Sequence, residues 1–169
     1  NRTLFRTRLN ASIEEHDGDC GAVLFIDLDD FKTVNDSFGH TSGDALLVEV
    51  ASRLTSCLGD HQIVARLGGD EFAVLLPDAR TADTAEAIAQ RILAMFGDPV
   101  RSGNHLLTIR ASIGVAMIQA GDEPGELMRN ADTAMYTAKA QGKHRVVLFR
   151  PEMYESNLQR FNLHSELRR

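Results

Sequence analysis

Two acidic clusters carry the chemistry this chain could do. Asp27-Leu28-Asp29-Asp30 follows the apolar run Ala22-Val23-Leu24-Phe25-Ile26, and Asp70-Glu71 follows two glycines in Arg66-Leu67-Gly68-Gly69-Asp70-Glu71-Phe72. In extended chain the side chains alternate faces, so Asp27 and Asp29 share one face while Asp70 and Glu71 point to opposite sides of their ribbon. A lone carboxylate buried at a strand end is costly unless something neutralises it. A divalent cation does so, and Mg²⁺ takes one or two carboxylates together with phosphate oxygens and water. Asp27 reads as such a ligand, and Asp30 as the cap of the helix that follows. Gly68 and Gly69 leave a tip without side chains, where a bulky anion can approach the backbone. A plain Gly-Gly turn with solvated acids would look the same, so the rest of the chain must decide.

The elements that position these clusters follow from apolar periodicity. Residues 1–16 form a helix with Leu4, Phe5, Leu9 and Ile13 on its apolar face, broken at Asp17-Gly18-Asp19. Ala22 to Ile26 is a continuous apolar run, as in a central strand covered on both faces. A short helix from Phe31 ends at Gly39, and a longer one begins at Thr41 with Thr41, Ser42 and Asp44 as candidate caps. Its core face is Leu46, Leu47, Val50, Leu54, Cys57 and Leu58. Ile63-Val64-Ala65 and Ala73-Val74-Leu75-Leu76 flank the glycines as the arms of a hairpin. A helix over Thr81–Phe96 packs through Ala85, Ile88, Ala89, Ile92, Leu93 and Phe96 and stops at Gly97-Asp98-Pro99. Leu106–Ile118 is strand-like. Pro124–Ala140 is a helix packed through Leu127, Met128, Ala131, Ala134, Met135 and Ala138, with Tyr136 also assigned to the core. Val146–Phe149 closes the sheet. The order β, αα, hairpin, α, β, α, β excludes a purely parallel sheet. It predicts an α/β sandwich with a central mixed, mainly antiparallel sheet flanked by helices.

The composition fits one globular domain: 169 residues, 43% hydrophobic and 25% charged. A formal net charge of −6 argues against non-specific nucleic-acid binding, so a polyanionic ligand needs a metal and a few placed cations. The chain has no transmembrane-length apolar stretch, no signal-peptide pattern and no expected membrane contact. With only Cys20 and Cys57, lacking metal-ligand spacing, a reduced cytoplasmic setting is the expectation. A Gly-x-x-x-x-Gly-Lys-Ser/Thr loop is missing, which excludes a P-loop NTPase. The start at Asn1 and the charged helical pattern at the end read as a segment of something longer.

Gly68-Gly69-Asp70-Glu71-Phe72 resembles the signature of the GGDEF family, the diguanylate cyclases. Four further stretches resemble that family in the same order: Phe25–Lys32, the Asn-Asp…Gly-His…Gly-Asp segment Asn35–Asp44, the Ser-x-Gly strand Ala111–Ala116, and Ala131–Lys139 with the turn Gly142–Arg145. The resemblance implies an α/β sandwich of the nucleotidyl-cyclase or polymerase-palm type. It also implies two GTP condensing into cyclic di-GMP in a transient homodimer. On the matching positions, Asp70 and Glu71 would be catalytic, and Asp27, the Leu28 carbonyl, Asp70 and Glu71 would hold Mg²⁺ or Mn²⁺. Asn35 and Asp44 would read guanine, Lys32, Lys139 and Lys143 would meet phosphates, and Gly68 and Gly69 would line the substrate. His40 reads as structural.

Four positions depart from the family pattern. Gly59 and Gln62 stand where many members carry the Arg and Asp of a product-inhibition motif. Lys143 stands for the usual Arg, and an ammonium cannot make the bidentate phosphate contact of a guanidinium. His144 stands for the usual Asn. The competing reading is a catalytically weak GTP-binding module that regulates an attached domain. Residues 1–150 are expected to form the domain and 151–169 a helical linker. Leu158, Phe161 and Leu167 are the linker's apolar points, and Leu163–Arg169 resembles the opening of an EAL phosphodiesterase domain. Fused EAL and N-terminal sensory domains are therefore expected, and the parent protein is free to carry a membrane anchor elsewhere.

Overall fold

In the computed structural model, residues 1–15 and 20–156 are described. The helix break expected at Asp17–Asp19 and the linker beyond Ser156 lie outside them. The elements run α1 Arg2–Glu15, β1 Ala22–Leu28, α2 Phe31–Phe38, α3 His40–Cys57, β2 Ile63–Gly68, β3 Glu71–Leu76, α4 Ala82–Met95, β4 Val100–Ser102, β5 His105–Leu107, β6 Ala111–Met117, α5 Pro124–Ala140 and β7 Val146–Leu148. No described helix is long and apolar enough to cross a membrane.

Five strands form one sheet in the order β2-β3-β1-β6-β7, antiparallel except for the β6–β7 pair. β1 is central and buried along its whole length, as its unbroken apolar run requires. Strand alternation divides its side chains between two cores. Leu24, Ile26 and Leu28 join Phe72, Val74, Leu46, Leu54 and Ile92 on the face covered by α3 and α4. Val23 and Phe25 join Ala73, Leu75, Phe5, Leu9, Leu127 and Ala131 on the face covered by α1 and α5. Parity then places Asp27 and Glu71 on the α1/α5 face, and the register sets them directly opposite one another.

Two arginines lock α3 to α4. Arg53 of α3 donates to the carbonyls of Asp98 (2.6 Å) and Pro99 (3.0 Å) after α4, and Arg91 of α4 donates to the Cys57 carbonyl (2.9 Å) that ends α3. Arg91 satisfies a carbonyl that the end of α3 would otherwise leave bare, while Arg53 holds the loop that follows α4.

Four expectations need correction. The Leu106–Ile118 strand is two elements: β5 folds back on β4 through Gly103-Asn104, and β6 starts afresh at Ala111. Gly103 sits at φ 59°, so the Gly-Asn dipeptide was a legible turn signal. Thr41, Ser42 and Asp44 do not cap α3, because the helix already starts at His40 behind Gly39. Asp30 holds the N-cap position of α2, but its side chain bonds no backbone amide there. Tyr136 is 48% exposed, although its neighbour Met135 is buried.

The segment after β7 docks onto the domain. Residues 152–156 form a helical turn, Tyr154 packs edge-on against Phe149, and its hydroxyl donates to Asn130 Oδ1 on α5.

Candidate nucleotide-binding site

The hairpin tip is tighter than the sequence suggested. Gly69 and Asp70 form the two-residue turn between β2 and β3, with Gly69 at φ 50° and a register shift between Arg66 and Gly68. Asp70 therefore lies in the turn, so face alternation governs Glu71 but not Asp70. A Cβ added at Gly68 or Gly69 would meet nothing within 4 Å, so the tip is open backbone. Arg66 braces it, donating from Nε to the Gly69 carbonyl at 2.9 Å, and the Asp70 carbonyl accepts from Leu28 N at 3.2 Å. The second contact ties the hairpin tip to the end of β1.

At that strand end Asp27 is 8% exposed and bonded to Lys139 Nζ of α5 at 2.6 Å. Burial pushes its carboxyl above the ordinary value. The Lys139 bond and charge pull the other way, and the charges of Asp70 and Asp29 add to the rise. Glu71 is raised as well, first by burial and then by the charges of Asp132, Asp27 and Asp70. Asp132 of α5 is likewise raised by burial around its carboxylate, against the pull of Lys139 and Arg2. The sheet therefore sets two desolvated carboxylates opposite each other, with the Asp132 charge felt by Glu71 and Lys139 directly bonded to Asp27. Such an arrangement of hard oxygens is short of positive charge. Among the described residues no three Asp, Glu, His or Cys side chains form a ready-made metal cage.

The remaining candidates surround this centre. Asn35 is half-buried on α2, and its side chain lies over Gly43 of α3, where a Cβ would come within 1.8 Å of its Oδ1. Asp44 and Lys32 are exposed on the same two helices. Lys143 Nζ bonds Asp30 Oδ1 at 2.6 Å, which lowers the Asp30 pKa and raises that of Lys143. This pairing explains why Asp30 is no cap. Asp29 shares burial with Asp27 but not its partners: it accepts from Ser112 Oγ at 2.7 Å and from the His144 amide at 3.0 Å. Sequence reasoning gave no role to Arg66, Asp29, Ser112, Gly43 or Asp132. Ser112 and Gly43 stood inside quoted motifs, which was the signal available. Gly114 of the Ser-x-Gly strand has a packing role, since a Cβ there would fall 2.0 Å from the Ala131 carbonyl oxygen and 2.2 Å from Met135 N.

An open glycine tip beside paired carboxylates, on a mixed sheet with Lys139 reaching in from α5 and Lys143 from the turn after it, defines an α/β sandwich with an acidic centre. Residues 1–145 match the family model described as diguanylate cyclase, GGDEF domain, and the chain belongs to that family. Among curated relatives, the bifunctional diguanylate cyclase/cyclic di-GMP phosphodiesterase MucR of Pseudomonas aeruginosa is 42% identical over 99% of the chain and 25% of its own length. The cyclic di-GMP phosphodiesterase PdeR of Escherichia coli is 39% identical over 100% of the chain and 26% of its own length. The chain thus spans about a quarter of these relatives. Among solved structures, the GGDEF domain of TpbB (YfiN) from Pseudomonas aeruginosa superposes with a TM-score of 0.88 at 37% identity, covering 94% of each chain.

Proposed function

We propose that this domain condenses two GTP molecules into cyclic di-GMP with release of two pyrophosphates. The observation that carries the reading is the Asp27–Glu71 pair, set opposite each other at the sheet end beside an open glycine tip. Like charges facing across two strands are unfavourable, and a site is built this way to receive a cation. The donor set is all carboxylate and carbonyl oxygen, which suits Mg²⁺ or Mn²⁺. Asp27, the Leu28 carbonyl, Asp70 and Glu71 would hold the metal, which would polarise the α-phosphate and lower the pKa of the attacking 3′-hydroxyl.

The chain's own residues do the rest. Asn35 and Asp44 read the guanine edge from α2 and α3. Gly68 and Gly69 let the triphosphate approach backbone amides without steric cost. Glu71, set opposite Asp27 at the sheet end, is placed to take the 3′-hydroxyl proton. The 3′ oxygen then bonds the α-phosphorus of the second GTP, and the bond to the β-phosphate breaks. Lys32, Lys139 and Lys143 stabilise the charge that develops on pyrophosphate. Lys139 and Lys143 wait on Asp27 and Asp30, so neither needs to be recruited from solvent. One domain presents one such centre, so ring closure requires two loaded copies face to face in a transient homodimer.

A second reading rests on PdeR, a relative whose name records phosphodiesterase activity alone. On that reading GTP occupies the domain and controls a fused EAL hydrolase without turnover. Incubating the domain with GTP and Mg²⁺ or Mn²⁺ and separating the products distinguishes the two. Cyclic di-GMP should form, with specific activity rising with protein concentration, and Asp27→Ala, Asp70→Ala or Glu71→Ala should abolish it while the fold persists. GTP binding without product would establish the regulatory reading. Full activity of Glu71→Ala would overturn the assignment of the centre.

A further inference from the structure

Asp29 is a nearly buried carboxylate that the chemistry above leaves unused. It is 9% exposed, and both of its oxygens are engaged: Oδ1 by the Ser112 hydroxyl at 2.7 Å and Oδ2 by the His144 amide at 3.0 Å. Its own amide donates to the Arg110 carbonyl at 2.8 Å. Ser112 is fully buried in β6, and His144 belongs to the turn that follows α5.

That turn is strained. Lys143 and His144 lie at φ 63° and 45°, consecutive left-handed positions that side-chain-bearing residues rarely adopt. The surrounding structure must impose them. Lys143 N donates to the Ala138 carbonyl (3.1 Å), and the Arg145 carbonyl accepts from Ile113 N (2.9 Å). These bonds fix the two ends of the turn. The middle is held by Asp29, which grips the amide next to Lys143. The same carboxylate is anchored to the sheet through Ser112, one residue beyond Ala111, which pairs with Leu28.

We propose that Asp29 is a positioning residue for the triphosphate: through Ser112 and the His144 amide it sets the turn from which Lys143 reaches the phosphates. The inference rests on GTP as the ligand. It separates cleanly from a plain charge effect, because Asp29 is an anion close to where a polyanion would bind. If it acted only by its charge, any neutral replacement would tighten nucleotide binding. If it positions the turn, the replacements must differ. Asn keeps an oxygen for the His144 amide, and the Ser112 hydroxyl can rotate to accept from the new amide group. Ala supplies neither bond and leaves the strained turn without its grip.

The test is titration calorimetry of the intact domain with Mg²⁺ and 3′-deoxy-GTP, which cannot be cyclised, and with GMP, which lacks the outer phosphates. Asp29→Asn should bind 3′-deoxy-GTP within about threefold of the parent, and Asp29→Ala about tenfold more weakly, with GMP affinity unchanged in both. In a Lys143→Ala background, Asp29→Ala should add almost nothing. Should Asp29→Ala fail to fold, Ser112→Ala replaces it, with a smaller loss in the same direction. Tighter binding by both Asp29 variants, an equal loss for GMP, or full additivity with Lys143→Ala would overturn the proposal. A parent domain that binds no 3′-deoxy-GTP would overturn the GTP reading first and this one with it.

Discussion

Two Gly→Ala substitutions, chemically identical, should break different things. At Gly43 the added Cβ would lie 1.8 Å from Asn35 Oδ1 and 3.2 Å from Phe31 Cζ, whereas no real Cβ contact falls below 3.0 Å. The obstacle is the end of a side chain, so Asn35 can swing aside, retreating by roughly 1 Å or more into another rotamer. The fold loses little and regains about 0.5–1 kcal/mol of helix propensity, because Gly43 lies inside α3. The proposed guanine reader, however, leaves its place. A displaced buried hydrogen bond costs about 1–3 kcal/mol, or roughly five- to 150-fold in GTP affinity. At Gly114 the obstacles are the Ala131 carbonyl at 2.0 Å and Met135 N at 2.2 Å, both backbone of α5. Relief requires α5 to lift from the sheet along the stripe of Leu127, Ala131, Ala134 and Ala138, all fully buried. Overpacking of this kind costs about 3 kcal/mol or more, a melting shift of roughly 6–12 °C for a domain of this size. Thermal melts and calorimetric titration with 3′-deoxy-GTP read both effects, with Gly59→Ala, in open space, as the neutral control. Gly43→Ala binding nucleotide as the parent does, or Gly114→Ala melting within 2 °C or so of it, would refute the close approaches on which the argument depends.

Three further outcomes follow from the same geometry. Asp27 is raised from 3.8 by burial, so the folded state binds its proton more tightly than the unfolded chain does, and its contribution to stability declines as pH rises above that value. In chelator, Asp27→Asn should therefore gain on the parent as pH rises from 3.8 by thermal melt, and a pH-independent difference would contradict the raised pKa. His144 holds φ 45°, a conformation that Asn tolerates best among residues with side chains; His144→Asn should raise denaturant stability by a few tenths of a kcal/mol, about the accuracy of a paired urea melt. At the β2 edge, Gln62 Oε1 accepts from Gly59 N at 3.0 Å, and neither residue is charged; cyclic di-GMP should not inhibit through this edge, and product inhibition removed by substitution at Gln62 would show that it does.

What could be read from the sequence is what neighbours in the chain decide. The apolar run of β1, the acids at its end and the glycine tip are all local patterns, and the strand period alone sends Asp27 and Glu71 to one face once the register is known. The partners of those acids are not local. Lys139 lies 112 residues from Asp27, and Ser112 and His144 lie 83 and 115 residues from Asp29. No spacing rule reaches that far, because the contacts depend on sheet order and on where α5 lands. Asp30 shows the consequence. Its local signal favoured a helix cap, but Lys143, 113 residues away, took the carboxylate instead. The Ser-x-Gly motif carries the same lesson in the other direction. It reads as strand, yet Ser112 is kept for the Asp29 carboxylate and Gly114 for the backbone of α5. Two letters that look like weak β-formers therefore record the docking of a helix and the fixing of a turn that begin further along the chain.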